Sequence, residues 1–233
     1  MTEDALMNTY GRIGASALTW PVEKSKLLYQ GNNNRCLKSV ATSLASLSLR
    51  THVMGMLSSC TQRGGSAFLM FYTQANLYQF TNGVTRHSVT DQALAGALGG
   101  AMSAPFHTCF ELIKVRGHIP CVNACFMSLR PMMLRHAVFD GTFFLINAGL
   151  AQHEYSAGRR FAAAAATASF TNLLFDVWKT RQMAQFPRPV RFLSVVSSLR
   201  PTTFLSNYVV KGTDLTINWF VVGCLKEAFF SGR

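Results

Sequence analysis

The chain has 233 residues, 49% of them hydrophobic and only 14% charged, yet 22 Lys and Arg stand against 10 Asp and Glu for a formal charge of +12. This balance excludes a disordered chain, a collagen-like repeat and a disulfide-stapled miniprotein. An ordinary soluble domain carries about 25% charged residues, so much of this chain avoids water, in a large helical core or in a membrane.

In chain order, the first apolar helix is expected over roughly 3–29, ended by the turn-forming Gly31 to Asn34. The opening Met1-Thr2-Glu3-Asp4 is acidic where a signal or transit peptide would be basic, so no leader is expected. Gly64–Thr85 follows with 22 residues free of Lys, Arg, Asp and Glu, and Thr81-Asn82-Gly83 reads as its stop. Gln92–Phe110 has 19 such residues and holds Gly96 and Gly100 at a small-xxx-small spacing suited to close helix contact. It runs on to a turn at Gly117 to Pro120. Further helices are expected over roughly 126–152, over Phe161–Phe175 with its run Ala162–Ala166, and over roughly 204–229. These make six helices of about membrane length, none cleanly apolar. Charges inside such spans turn toward a bundle interior or a water-filled cavity. A soluble all-α protein with a large core is the other reading of the same hydropathy.

The basic residues are scattered singly, with Arg159-Arg160 the one adjacent pair. Nucleic-acid binding wants them gathered on one face, so no nucleic-acid partner is expected. Anionic headgroups or anionic solutes fit better. The cysteines, Cys36, Cys60, Cys109, Cys121, Cys125 and Cys224, lack zinc-site spacing. Cys121 and Cys125 with His118 have no second cysteine pair to complete a site, so no metal is expected and the thiols read as free. The sequence has no glycine-rich phosphate loop, nucleophile elbow or paired catalytic carboxylates, and no enzyme is expected. Asp140 and Asp214 are expected near helix starts or within a cavity.

Three segments share a charge pattern. The first reads Trp20-Pro21-Val22-Glu23-Lys24-Ser25-Lys26, the second Cys109-Phe110-Glu111-Leu112-Ile113-Lys114-Val115-Arg116, the third Leu174-Phe175-Asp176-Val177-Trp178-Lys179-Thr180-Arg181. Each places a base three residues after an acid at the end of an apolar helix. A local helix pair of this kind is worth only about 0.2–0.5 kcal/mol. Three copies in register instead imply symmetric units.

These residues resemble the signature of the mitochondrial carrier family: proline, any residue, acid, two residues, base, with a glutamine further on. Pro21 stands at the signature proline and Gln30 at the glutamine of the first copy, while Cys109 and Leu174, then His118 and Met183, replace them in the others. The resemblance implies a single all-α membrane domain over 1–233, a threefold pseudosymmetric barrel of six transmembrane helices, with repeats at about 1–84, 85–154 and 155–233. It also implies a multi-pass location in the mitochondrial inner membrane and a matrix-side network of Glu23, Lys26, Glu111, Lys114, Asp176 and Lys179. The expected pairs are Glu23 with Lys114, Glu111 with Lys179 and Asp176 with Lys26, or the same groups in the reverse circular sense. Solute contacts would fall at Arg63, Arg135, His136 and Lys211; helix-end cations facing headgroups are the alternative.

Several features depart from the family. Its second charge network has an acid on each even helix. Counting thirteen residues on from Arg63 and Arg135 finds Asn76 and Ala148, and the third register gives Cys224 or Val221. Glu23 precedes Glu111 by 88 residues and Glu111 precedes Asp176 by 65, both short of the family's repeat. The matrix loops after Arg116 and Arg181 are therefore shortened, with room for a short amphipathic helix only in the first repeat, around Arg35 to Arg50. A carrier fold with one gate missing reads as transport-impaired, an accessory subunit of a larger respiratory-chain assembly that touches membrane lipids and other inner-membrane subunits. Bound phospholipid such as cardiolipin could occupy it, and no cofactor is expected. The alternative is an active carrier exchanging a small anionic metabolite or amino acid.

Overall fold

The computed structural model describes residues 3–31, 45, 48–81, 88–116, 120–153, 155–199 and 201–230. These are all-helical, in eight helices: α1 (Glu3–Gly31), α2 (Leu49–Thr81), α3 (Val89–Arg116), α4 (Val122–Ala151), α5 (Ala157–Thr171), α6 (Leu173–Gln185), α7 (Phe192–Ser198) and α8 (Pro201–Phe230). Each long helix packs on the next, α4 on both α5 and α6, and α8 returns to α1, closing a ring. Helices α1, α3 and α6 also touch one another, so they converge.

Local chemistry sets the helix starts. The Ser48 hydroxyl accepts the Thr51 N–H at 3.3 Å, capping α2. Ser88 and Asp91 form a reciprocal box at α3: Asp91 N–H donates to Ser88 Oγ at 3.1 Å and Ser88 N–H to Asp91 Oδ2 at 3.2 Å. The second helix thus starts at Leu49, 15 residues before the charge-free window that opens at Gly64. The charge-free window began only after Arg63, but Arg63 lies inside the helix because a carboxylate receives it.

The expected fifth span is two helices that meet at Asn172. Its φ of −95° and ψ of −2° break the α path, yet Asp176 N–H donates to Asn172 O at 3.0 Å and the helix resumes at once. No proline is needed here, whereas Pro21, Pro105 and Pro131 lie inside helices that continue through them. The short helix α7 corrects another expectation. The loop after Arg181 keeps room for a helix, whose Val195 is buried against Leu173 and Val177 of α6. The candidate helix near Arg35 to Arg50 falls largely outside the described residues.

Small residues let the helices approach. A Cβ on Gly100 would lie 2.8 Å from the His136 carbonyl oxygen, so α3 and α4 meet closely where the sequence placed its glycine pair. At the opposite wall Phe143 stacks on Trp219 with centroids 4.3 Å apart, among Ala164, Ala165 and Ala168 of α5.

The surface reverses the usual polarity. Glu23, Lys114, Asp176 and Lys179 are at most 2% exposed, while Leu18 is 72%, Phe126 69% and Met102 66% exposed. Inside the helices Ser16, Thr19, Thr108, Ser169 and Thr180 return their hydroxyls to carbonyls of their own helix four residues earlier, which satisfies them without solvent. Among the described residues no helix is long and apolar enough to cross a membrane.

Candidate functional site

The convergent ends of α1, α3 and α6 carry the three repeated acid–base segments. Lys114 Nζ lies 2.6 Å from Glu23 Oε1 and 2.9 Å from Glu111 Oε1. Lys179 Nζ lies 2.9 Å from Glu111 Oε2 and 3.5 Å from Asp176 Oδ1. Each lysine therefore bridges the acid of its own helix to the acid of another. Arginines extend both ends: Arg63 Nη2 is 3.1 Å from Glu23 Oε2, and Arg135 Nε is 3.4 Å from Asp176 Oδ1. The result is a continuous run, Arg63–Glu23–Lys114–Glu111–Lys179–Asp176–Arg135, that alternates in sign from α2 to α4 through three helices.

Burial alone would make such charges costly, by several kcal/mol per ion, so each needs hydrogen bonds beyond its partner. Ser59 donates to Glu23 Oε2. Gln62 Nε2 lies 3.0 Å from Glu111 Oε1 and 2.9 Å from His107 Nδ1. Lys24, next to Glu23 and buried, donates to the Lys114 carbonyl at 2.9 Å, a group in the last turn of α3 that has no helical acceptor role left.

Of the expected pairs, Glu23 with Lys114 and Glu111 with Lys179 are brought together, which fixes the circular sense. The side chains of Lys26 and Gln30 lie outside those described, and so does that of Lys211; among the described residues Asp176 is met by Arg135 and Lys179. Pro21 lies within α1 two residues before Glu23. Arg63, Arg135 and His136 line the cavity, and the two arginines are also engaged with the carboxylates of Glu23 and Asp176.

Arg116 and Arg181, each two residues after a lysine of the run, brace the same end. Arg116 Nε donates to the Met183 carbonyl at 2.8 Å and its Nη2 to the Phe186 carbonyl at 3.1 Å, while its guanidinium lies 4.8 Å from the Phe186 ring centroid. Arg181 donates to Ser198 at the end of α7. Trp178 Nε1 and Gln182 Oε1 hold the Val190 carbonyl and N–H at 2.7 and 2.8 Å. Short loops are thereby fixed to the underside of the charge run.

Beyond the run lies a cavity with about 680 Å³ of empty space, counting its open mouth. Its walls hold Arg12, Ser103, His107, His136, Asp140 and Trp219. The His107 and His136 rings are 3.8 Å apart between centroids, and His136 Nδ1 lies 3.5 Å from Asp140 Oδ2. Asp140 is in the middle of α4 and not near a helix start, as Asp214 is inside α8. Arg12 covers the Trp219 ring at 4.1 Å, and its Nε has no hydrogen-bond partner among the described residues.

Arg12, Gln62 and Ser59 were missed by sequence reasoning. Arg12 had one visible signal, the single cation between Glu3 and Pro21 of the first apolar span, but Gln62 and Ser59 matter only because α2 packs beside the charges. At the far end Ala148 is buried, Val221 packs against the core cluster and Cys224 is exposed, so these three positions offer no acid; the side chain of Asn76 lies outside those described. No family model matches the chain, and no curated protein matches it.

Proposed function

We propose that this chain is a divergent carrier-type bundle of the mitochondrial inner membrane, impaired in transport and serving as an accessory subunit of a larger membrane assembly such as a respiratory complex. One observation carries the reading: a buried run of alternating charges ties one end shut, while Ala148, Val221 and Cys224 at the other end supply no acid for an opposing network. Alternating access needs two conformations of similar free energy, and a ligand shifts them only through differential affinity. A bundle with one network sits on one side of that balance.

The inverted polarity supports the membrane part of the reading. Hydropathy averaged along a helix counts the buried charges against it, although they face the interior while apolar side chains such as Leu18, Met102 and Phe126 face outward. Polar groups that point inward are the arrangement that a lipid surrounding permits. The aliphatic and aromatic outer face would contact lipid, including phospholipids such as cardiolipin, and neighbouring subunits. Catalysis has no part in this reading.

The test is retention of the tagged chain in mitochondrial membranes after alkaline carbonate extraction, followed by reconstitution into liposomes. Retention without exchange of amino acids, keto acids or nucleotides is expected; release into the carbonate supernatant overturns the membrane assignment.

A second reading, an active carrier for a small anion, is favoured by Arg12, whose guanidinium lines the cavity over Trp219. Under that reading liposomes exchange an anionic solute, and Arg12→Ala or Arg135→Ala abolishes the exchange.

A further inference from the structure

The sulfurs of Cys109 and Cys125 lie 3.7 Å apart across the α3–α4 contact. Cys109 is exposed on α3, Cys125 is partly buried in the first turn of α4, and Cys121, at the N-cap of α4, is exposed. The two helices are antiparallel neighbours joined by a short connection, so the sulfurs are held together by backbone that is already fixed. A disulfide needs an S–S distance of about 2.05 Å with Cβ atoms about 3.5–4.5 Å apart. At 3.7 Å the two sulfurs are already in van der Waals contact.

We propose that Cys109 and Cys125 form a dithiol that a hydroperoxide closes into a disulfide. The exposed Cys109 thiolate attacks the peroxide oxygen, breaking the O–O bond and giving a sulfenic acid with release of water or alcohol. The Cys125 sulfur then attacks the Cys109 sulfur and expels the hydroxyl as water. Two thiols lose two electrons and two protons, and one hydroperoxide is reduced. Cys125 is the sulfur in contact, so it resolves the sulfenic acid before exposed Cys121 can.

The position gives the bond a consequence. Cys109 is two residues before Glu111 and five before Lys114 on the same helix. A covalent tie from this point to α4 fixes the segment of α3 that carries the centre of the charge run against the helix that carries Arg135. The oxidised bundle is therefore harder to open at that end than the reduced one. The inference goes beyond the proposed function and does not rest on it, because the bond depends on the α3–α4 contact alone.

The experiment treats the purified full-length chain in detergent with hydrogen peroxide, counts free thiols and maps peptides by mass spectrometry without reduction. The free-thiol count is expected to fall by two, with one cross-linked peptide pair joining Cys109 to Cys125 and full reversal by dithiothreitol. Cys121→Ser should leave the cross-link intact, and Cys109→Ser and Cys125→Ser should each remove it. Mapping of the unmutated chain needs no variant to fold. Phenylarsine oxide, which bridges neighbouring thiols, should bind the reduced chain and block the cross-link. Sulfinic or sulfonic Cys109 without a cross-link, or a bond made through Cys121 in the unmutated chain, overturns the proposal.

Discussion

Glu111 is the centre of the alternating run, and Glu111→Gln removes its charge while keeping its shape. In the native structure its carboxylate receives Lys114 at 2.9 Å, Lys179 at 2.9 Å and Gln62 at 3.0 Å. The variant leaves four cations with two carboxylates along the run, and both lysines are about 1% exposed, so little solvent reaches them to compensate. Removing one partner of a buried pair costs about 3–5 kcal/mol. For a chain of this size each kcal/mol moves Tm by roughly 2–4 °C, so a fall of about 10 °C is expected. The assay is thermal unfolding of the detergent-solubilised chain, run as a cycle with Lys179→Gln. Loss of the second partner relieves an uncompensated charge, so Glu111→Gln with Lys179→Gln should be less destabilised than the sum of the singles, by at least about 1 kcal/mol. A single variant that melts with the native chain, or a strictly additive double variant, refutes the reasoning.

Other expectations follow from packing and capping. Gly100→Val should destabilise the bundle by about 1–3 kcal/mol, since its Cβ alone would meet the His136 carbonyl at 2.8 Å; Tm against the native chain checks this. Arg116→Ala should free the Met183 and Phe186 carbonyls, raising hydrogen exchange across residues 183–191 while the α3–α4 contact stays protected. Arg12→Ala removes the cation over Trp219, worth about 0.5–2 kcal/mol, and should lower Tm modestly. If the cavity binds no anion, adding dicarboxylates should shift neither the native chain nor this variant.

Some of this architecture was legible in the sequence, and the reason is physical. A buried ion needs a counter-ion at a fixed place, and Glu23, Lys114, Glu111, Lys179 and Asp176 stood out through their repeated acid–base spacing, while their pairing between helices was what the carrier resemblance implied. Gly96 and Gly100 were legible because only a missing Cβ admits α4 so closely. Other features were not. The start of α2 was not legible, because the charge-free window opens only after Arg63, whose partner Glu23 is 40 residues away in sequence. The break at Asn172 carried no proline to announce it. Helix α7 is short, and the contacts that hold it, Val195 under α6, Phe192 on Phe175 and Trp178, and Ser198 on Arg181, exist only once it packs on α6. The engagement of Arg135 with Asp176 was not legible either, because it exists only once α4 and α6 are packed together.

The central claim is a bundle closed by one charge network and housed in a larger assembly. Its most direct test is the isolation state of the endogenous chain after mild detergent extraction of mitochondrial membranes, by native separation with quantitative mass spectrometry. The account predicts comigration with a large inner-membrane complex at fixed stoichiometry. A free monomer that counter-exchanges a solute when placed in liposomes contradicts it.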